Sequence, residues 1–86
     1  MSEKITNPTP IAKKQDMTLG EKVRFRRTLL RISQPELSQQ IGISQSYVSG
    51  IENGKHKPTA DVLASLAKVL KCTTDYLIYD EKKKVS

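Results

Sequence analysis

The chain has 86 residues, with 15 Lys/Arg against 9 Asp/Glu, one His, one Cys and a formal net charge of +6. That length admits one domain with a small core, and 36% hydrophobic with 28% charged residues is a globular mixture rather than a disordered one. The lone Cys72 excludes an internal disulfide and a cysteine-built metal site, which fits a reducing cytoplasm and a core-filling thiol; no apolar run approaches the ~18 residues of a membrane span, and no h-region marks a secretory signal.

A basic balance points to an anionic partner, either nucleic acid or an acidic membrane surface. The excess is uneven. Residues 18–80 carry nine Lys/Arg and six Asp/Glu, a net of +3, while residues 1–17 add +1 and residues 81–86 add +2. Half of it therefore lies in segments that read as tails. Residues 1–17 are polar and broken by Pro8 and Pro10, and residues 81–86 are a basic run. The stretch 18–80 reads as the domain. Its apolar residues recur at spacings of three and four rather than two, which predicts helices and no strands.

The first helix begins at Leu19. Thr18 caps it, with Glu21 completing a capping box; Leu19, Val23 and Leu30 form its inward stripe, and its end is expected near Arg31. The second repeats the device, with Ser33 as cap, Pro35 in the first turn and Glu36 closing the box. Leu37 and Ile41 face inward. Gly42 stops the helix, because glycine enters the left-handed region without penalty. Ile43 plugs the turn. Ser44 caps a third helix from Gln45 to about Asn53, with Val48 and Ile51 inward. The basic loop Lys55-His56-Lys57-Pro58 follows. Thr59 caps a fourth helix that buries Val62, Leu63, Leu66, Ala67, Val69 and Leu70. Thr73 or Thr74 starts a short fifth helix through Ile78.

The informative unit is Gln34 to Asn53. Two short helices joined by about three residues have the geometry of a helix-turn-helix. Close crossing needs a small residue midway along the first of the pair, and Ser38 is there. The turn needs a glycine four residues later, and Gly42 supplies it. One solvent-facing row is left over: Gln45, Ser46, Ser49 and Gly50. Short polar side chains in such a row can meet base edges in a DNA groove.

The runs Gln34-Pro-Glu-Leu-Ser-Gln-Gln-Ile-Gly42, Ser44-Gln-Ser-Tyr-Val-Ser-Gly-Ile-Glu-Asn-Gly54 and Pro58-Thr59 stand in order ahead of an apolar helix. Together they resemble the phage-repressor-like, Cro/C1-type (Xre) helix-turn-helix family over residues 18–80. The Tyr47-Val-Ser-Gly-Ile-Glu52 run also resembles the restriction–modification controller branch of that family. The resemblance implies an all-α, compact five-helix repressor-like bundle, dimeric on DNA, with the third helix in the major groove. It also implies a salt bridge between Arg27 and Glu52. Two positions depart from the family: Ser38 stands where alanine is usual, and Gly50 stands where a long base-reading side chain is common.

On these grounds the candidate base contacts are Gln45, Ser46, Ser49 and Tyr47. Glutamine can pair bidentately with adenine, and serine is permissive. Tyr47 has two readings: packing against the second helix with its hydroxyl on a phosphate, or its ring against a thymine methyl. The candidate phosphate contacts are Gln34 and Ser44 at helix starts, and Asn53, Lys55 and Lys57 beyond the third helix. His56 reads as surface decoration. Tyr76, Ile78 and Tyr79, in the apolar run with Leu77, are the candidate dimer interface, against the reading that Leu77 and one tyrosine only cap the core. Phe25 and Leu29 lie off the main stripe, and either shelter the N-terminal segment through Ile5 or Ile11 or form a partner surface.

The leading expectation is a cytoplasmic, homodimeric transcriptional regulator that binds a two-fold symmetric site in double-stranded DNA. The alternative is an antitoxin-type or other protein-binding module whose DNA binding is autoregulatory. An enzyme is not expected, because there is no nucleophile–base pair, no metal-ligand spacing and no phosphate-cradling glycine loop. No cofactor is expected either.

Overall fold

A computed structural model describes residues 17–79. The expected tails, with Ile5 and Ile11, lie outside the described residues apart from Met17. Five helices follow one another: α1 (Leu19–Leu29), α2 (Gln34–Ile41), α3 (Gln45–Glu52), α4 (Ala60–Val69) and α5 (Thr74–Ile78). There are no strands among the described residues.

Every helix starts on a serine or threonine whose hydroxyl takes an otherwise unpaired backbone N–H. Thr18 and Ser33 make full capping boxes: the Glu21 and Glu36 amides donate to their hydroxyls at 3.1 Å, and the two carboxylates accept from the Thr18 and Ser33 amides at 2.9 and 2.8 Å. Ser44, Thr59 and Thr73 accept from Tyr47, Val62 and Tyr76. Each cap contributes about 1 kcal/mol, enough to decide where such short helices begin. Thr73 is thus the cap of α5, which starts at Thr74.

The first helix ends earlier than its apolar stripe suggests. Arg31 sits in the left-handed region at φ 60°, so the chain leaves the helix after Leu29. The Ile32 amide returns to the Arg27 carbonyl at 2.9 Å and the Arg31 amide to Thr28 at 3.0 Å, the double closure of a Schellman end. The fourth helix ends the same way. Lys71 is at φ 58°, the Cys72 amide reaches the Ala67 carbonyl at 2.9 Å and the Lys71 amide reaches Lys68 at 3.3 Å.

One core holds the bundle: Val23 from α1, Leu37 from α2, Val48 and Ile51 from α3, Leu66 and Ala67 from α4, Leu70 at its C-cap, and Leu77 from α5. Leu19, Ile32, Ile41, Ile43, Tyr47 and Cys72 pack around it. Burial pushes the Cys72 thiol's pKa above its ordinary value, against the nearby Arg26 charge, which keeps it a neutral packing group. The third helix packs on α1 and α2, α4 on α2 and α5, and α5 closes back on α1. Gly20 lets α1 approach α3, since a side chain there would strike the carbonyls of Ile51 and Glu52.

Two basic side chains of α1 hold the end of α4 and α5 in place. Lys22, only 7% exposed, donates to the Tyr76 and Tyr79 carbonyls at 2.8 and 2.7 Å, and its ammonium lies 5.1 Å from the Tyr76 ring. The Arg26 guanidinium donates to the Leu70 carbonyl at 2.9 and 3.1 Å and to the Lys71 carbonyl at 2.9 Å. It thereby satisfies carbonyls that the end of α4 leaves unpaired.

A candidate nucleic-acid interface

The second and third helices meet across a three-residue connection, Gly42-Ile43-Ser44. Gly42 takes φ 86°, and the Gly42 and Ile43 amides both return to the Ser38 carbonyl, at 2.8 and 3.0 Å. Ser38 is 6% exposed at the crossing, and its hydroxyl donates to the Pro35 carbonyl at 2.8 Å. Serine thus fits where alanine is usual, because its one polar group is satisfied inside its own helix.

With Val48 and Ile51 locked in the core, helical spacing turns Gln45, Ser46, Ser49 and Asn53 to one side. They line an open hollow together with Gln34, Gly50, Lys55 and His56. Gln45 and Ser46 are exposed and Ser49 is half-buried. The Asn53 amide donates to the Ser49 hydroxyl at 3.3 Å, and its carbonyl oxygen accepts from Arg24 at 3.4 Å. Ser44 is committed as the cap of α3. Tyr47 packs on the core, with its hydroxyl toward the Lys57 carbonyl at 3.4 Å. Lys55 and Lys57 are exposed on the adjoining loop.

Behind this face lies a sequestered carboxylate. The Glu52 side chain is 0% exposed; its Oε2 takes Arg27 Nε at 2.6 Å, while its Oε1 takes Arg27 Nη2 at 3.1 Å, Gln34 Nε2 at 3.0 Å and Arg24 Nε at 3.4 Å. Burial works to raise its pKa, but the Arg27 and Gln34 hydrogen bonds, the Arg27 charge and the Arg24 contact outweigh that, and the net shift is downward. Glu52 stays ionised and spent. The only carboxylate of α3 therefore presents no unpaired charge to an incoming anion. Gln34, expected on phosphate, has one amide hydrogen committed to Glu52; its backbone N–H stands at the start of α2, where a phosphate could still bind.

Arg24 and His56 belong to this face and were not among the sequence-level candidates. Arg24 is 58% exposed in its side chain and sits between Glu52 and Asn53. Its place three residues before Arg27, one turn along the same helix, was the available signal. His56 lies against Tyr47 with ring centroids 5.4 Å apart. The dimer candidates divide: Tyr76 is half-buried under Lys22, Leu77 fills the core, and Ile78 and Tyr79 are 55% and 45% exposed.

A helix pair crossing through Ser38, with a polar row on its second member and cations at its rim, defines a helix-turn-helix protein of the all-α, repressor-like class. The chain belongs to the helix-turn-helix family, whose profile matches residues 23–77, and it is of the Cro/C1 (Xre) type. It is 34% identical over 70 residues to the HTH-type transcriptional regulator DicA of Escherichia coli, covering 81% of this chain and 52% of DicA. It is similar to the c2 repressor of Salmonella phage P22, solved with a synthetic operator: TM-score 0.70, 35% identity, 72% of this chain and 94% of that one. It is also similar to the restriction–modification controller protein C.AhdI of Aeromonas hydrophila: TM-score 0.66, 30% identity, 70% of this chain and 91% of that one. The chain spans about half of DicA's length and 28% of the P22 repressor's.

Proposed function

We propose that this chain is a sequence-specific regulator of transcription that acts in the cytoplasm as a homodimer, laying α3 in the major groove of a two-fold symmetric site in double-stranded DNA. The observation that carries this reading is the face built on α3. Gln45 and Ser46 stand out from it and the half-buried Ser49 lines it, Lys55 and Lys57 and the start of α2 flank it, and the carboxylate of α3 is buried behind it in an ion pair. Base edges select and phosphates position. Gln45 is the principal reader, Ser46 and Ser49 the permissive ones. Tyr47 supports the helix from below. Lys55, Lys57, Asn53, the hydroxyl hydrogen of Ser44 and the backbone N–H of Gln34 hold the DNA backbone. The two-fold contact is made by Ile78 and Tyr79, with Tyr76 beneath them. The reading involves no catalysis and no cofactor.

The test is selection of bound sites from random duplex DNA, followed by salt titration. Two half-sites about 34 Å apart are expected, with affinity falling steeply as salt rises. Lys55→Ala should weaken binding to all sequences alike and lower the salt slope by roughly one. Failure to select any sequence, or a flat salt response, overturns the reading. The exposed Phe25 (50%) and Leu29 (57%) favour the second reading, an antitoxin-type module whose main partner is a protein; an adjacent gene for a small toxin would support it.

A further inference from the structure

The row on α3 has a gap at Gly50, and another residue fills it. Gly50 is buried although it lies on the groove-facing side, because the His56 imidazole covers it. A Cβ built on Gly50 would overlap the ring at Cδ2 and come within 2.9 Å of Nε2. The ring therefore stands where a side chain of residue 50 would begin. Its backbone is fastened there, since the Lys55 and His56 amides donate to the Gly50 carbonyl at 2.8 and 3.2 Å. Tyr47 flanks the ring at 5.4 Å. Among the described residues neither ring nitrogen makes a hydrogen bond to the protein, and His56 is exposed.

Resting on the DNA-binding reading above, we infer that His56 is a specificity residue supplied to α3 from the following loop. It takes the place of the side chain that Gly50 lacks, and donates a ring N–H to the acceptor edge of a purine, N7 or guanine O6, at one base pair of each half-site. Glycine at position 50 is then the condition for it, because any larger residue there displaces the imidazole. The chemistry is that of a single directed donor to a groove-edge acceptor. The same ring held above a phosphate would carry no sequence information.

The experiment compares the full chain with His56→Ala, Gly50→Ala and the double variant in selection from random duplex DNA. Thermal melts of each check the fold. The ring is exposed and Gly50 has no positive φ, so all three variants should melt cooperatively. Expected is a loss of about five- to tenfold in base preference at one position per half-site for His56→Ala, the other positions keeping theirs. Gly50→Ala should flatten the same position by pushing the ring aside, and should add nothing in the His56→Ala background. Gly50→Ala also probes the ring's placement by a route independent of the histidine substitution. An unchanged consensus in His56→Ala overturns the proposal while leaving the DNA-binding reading intact. So does a uniform loss across all sequences, which makes His56 a phosphate contact, and so does tighter binding, which makes it a cover that must swing away. If the parent chain selects no sequence, the functional reading fails and this one with it.

Discussion

Glu52 holds a full charge with its side chain out of water, because Arg27, Gln34 and Arg24 reach its two oxygens from α1 and α2. Removing one member of such a buried pair leaves the other uncompensated. Glu52→Gln keeps the shape and some acceptor capacity, and should cost about 3 kcal/mol in urea unfolding at neutral pH. The sign with pH follows from the lowered pKa. The stabilisation from Glu52 is complete above the ordinary value of 4.5 and is lost as pH falls below it toward the folded-state value. Wild-type stability should therefore drop on that side, and Glu52→Gln should lose less there. Equal acid slopes in the two proteins would remove Glu52 from the account. Ser38 shows the limit of such reasoning from residue type: a buried hydroxyl in place of alanine looks costly until its bond to the Pro35 carbonyl is seen.

At the scale of elements, the starts of helices were legible and their ends less so. A Ser or Thr ahead of an apolar period announces an N-terminus through one local hydrogen bond, and all five announce themselves this way. The ends of α1 and α4 rest on Arg31 and Lys71 in left-handed backbone, which neither residue type advertises. Such a residue carries strain of about 1–2 kcal/mol, and glycine relieves it while adding unfolded-state entropy of about 0.4–1 kcal/mol. Lys71→Gly should accordingly raise stability by roughly 0.5–1 kcal/mol, read as a higher melting temperature; a lower one would mean that the lysine side chain contributes more than its backbone costs. Gly20 is the opposite case. Its Cα faces the last carbonyls of α3, so Gly20→Ala must push α1 off α3 despite alanine's better helix propensity. The expected loss is about 1–3 kcal/mol, the range for overpacking. A neutral or stabilised Gly20→Ala would show that the two helices can separate without penalty.

For the whole molecule, what sequence could not supply were groups that meet only when the chain closes on itself. Lys22 reads as a solvated lysine on an amphipathic helix, yet α5 returns to place the Tyr76 and Tyr79 carbonyls on its ammonium. His56 reads as decoration until the loop lays it over Gly50. The Lys22 staple bears directly on the proposed two-fold contact. It holds α5 at the Tyr76 carbonyl and the residue that follows it at the Tyr79 carbonyl, so Ile78 and Tyr79 are exposed on held backbone while Leu77 is spent in the core. A patch presented in this way can be repeated across a two-fold axis with little further ordering. On the proposed reading one α3 would cover only a few base pairs with short side chains, and doubling the site would multiply its specificity. Replacing Ile78 and Tyr79 together by glutamate adds charge to the patch without entering the core, since both are about half exposed. The expected outcome is a folded monomer in sedimentation, an unchanged thermal transition at low protein concentration, and loss of binding to a two-half-site DNA at concentrations that saturate the parent chain. An unfolded variant would assign the pair to the core. An unchanged dimer would move the contact to Phe25 and Leu29 on α1, the other large apolar side chains that the described residues leave exposed.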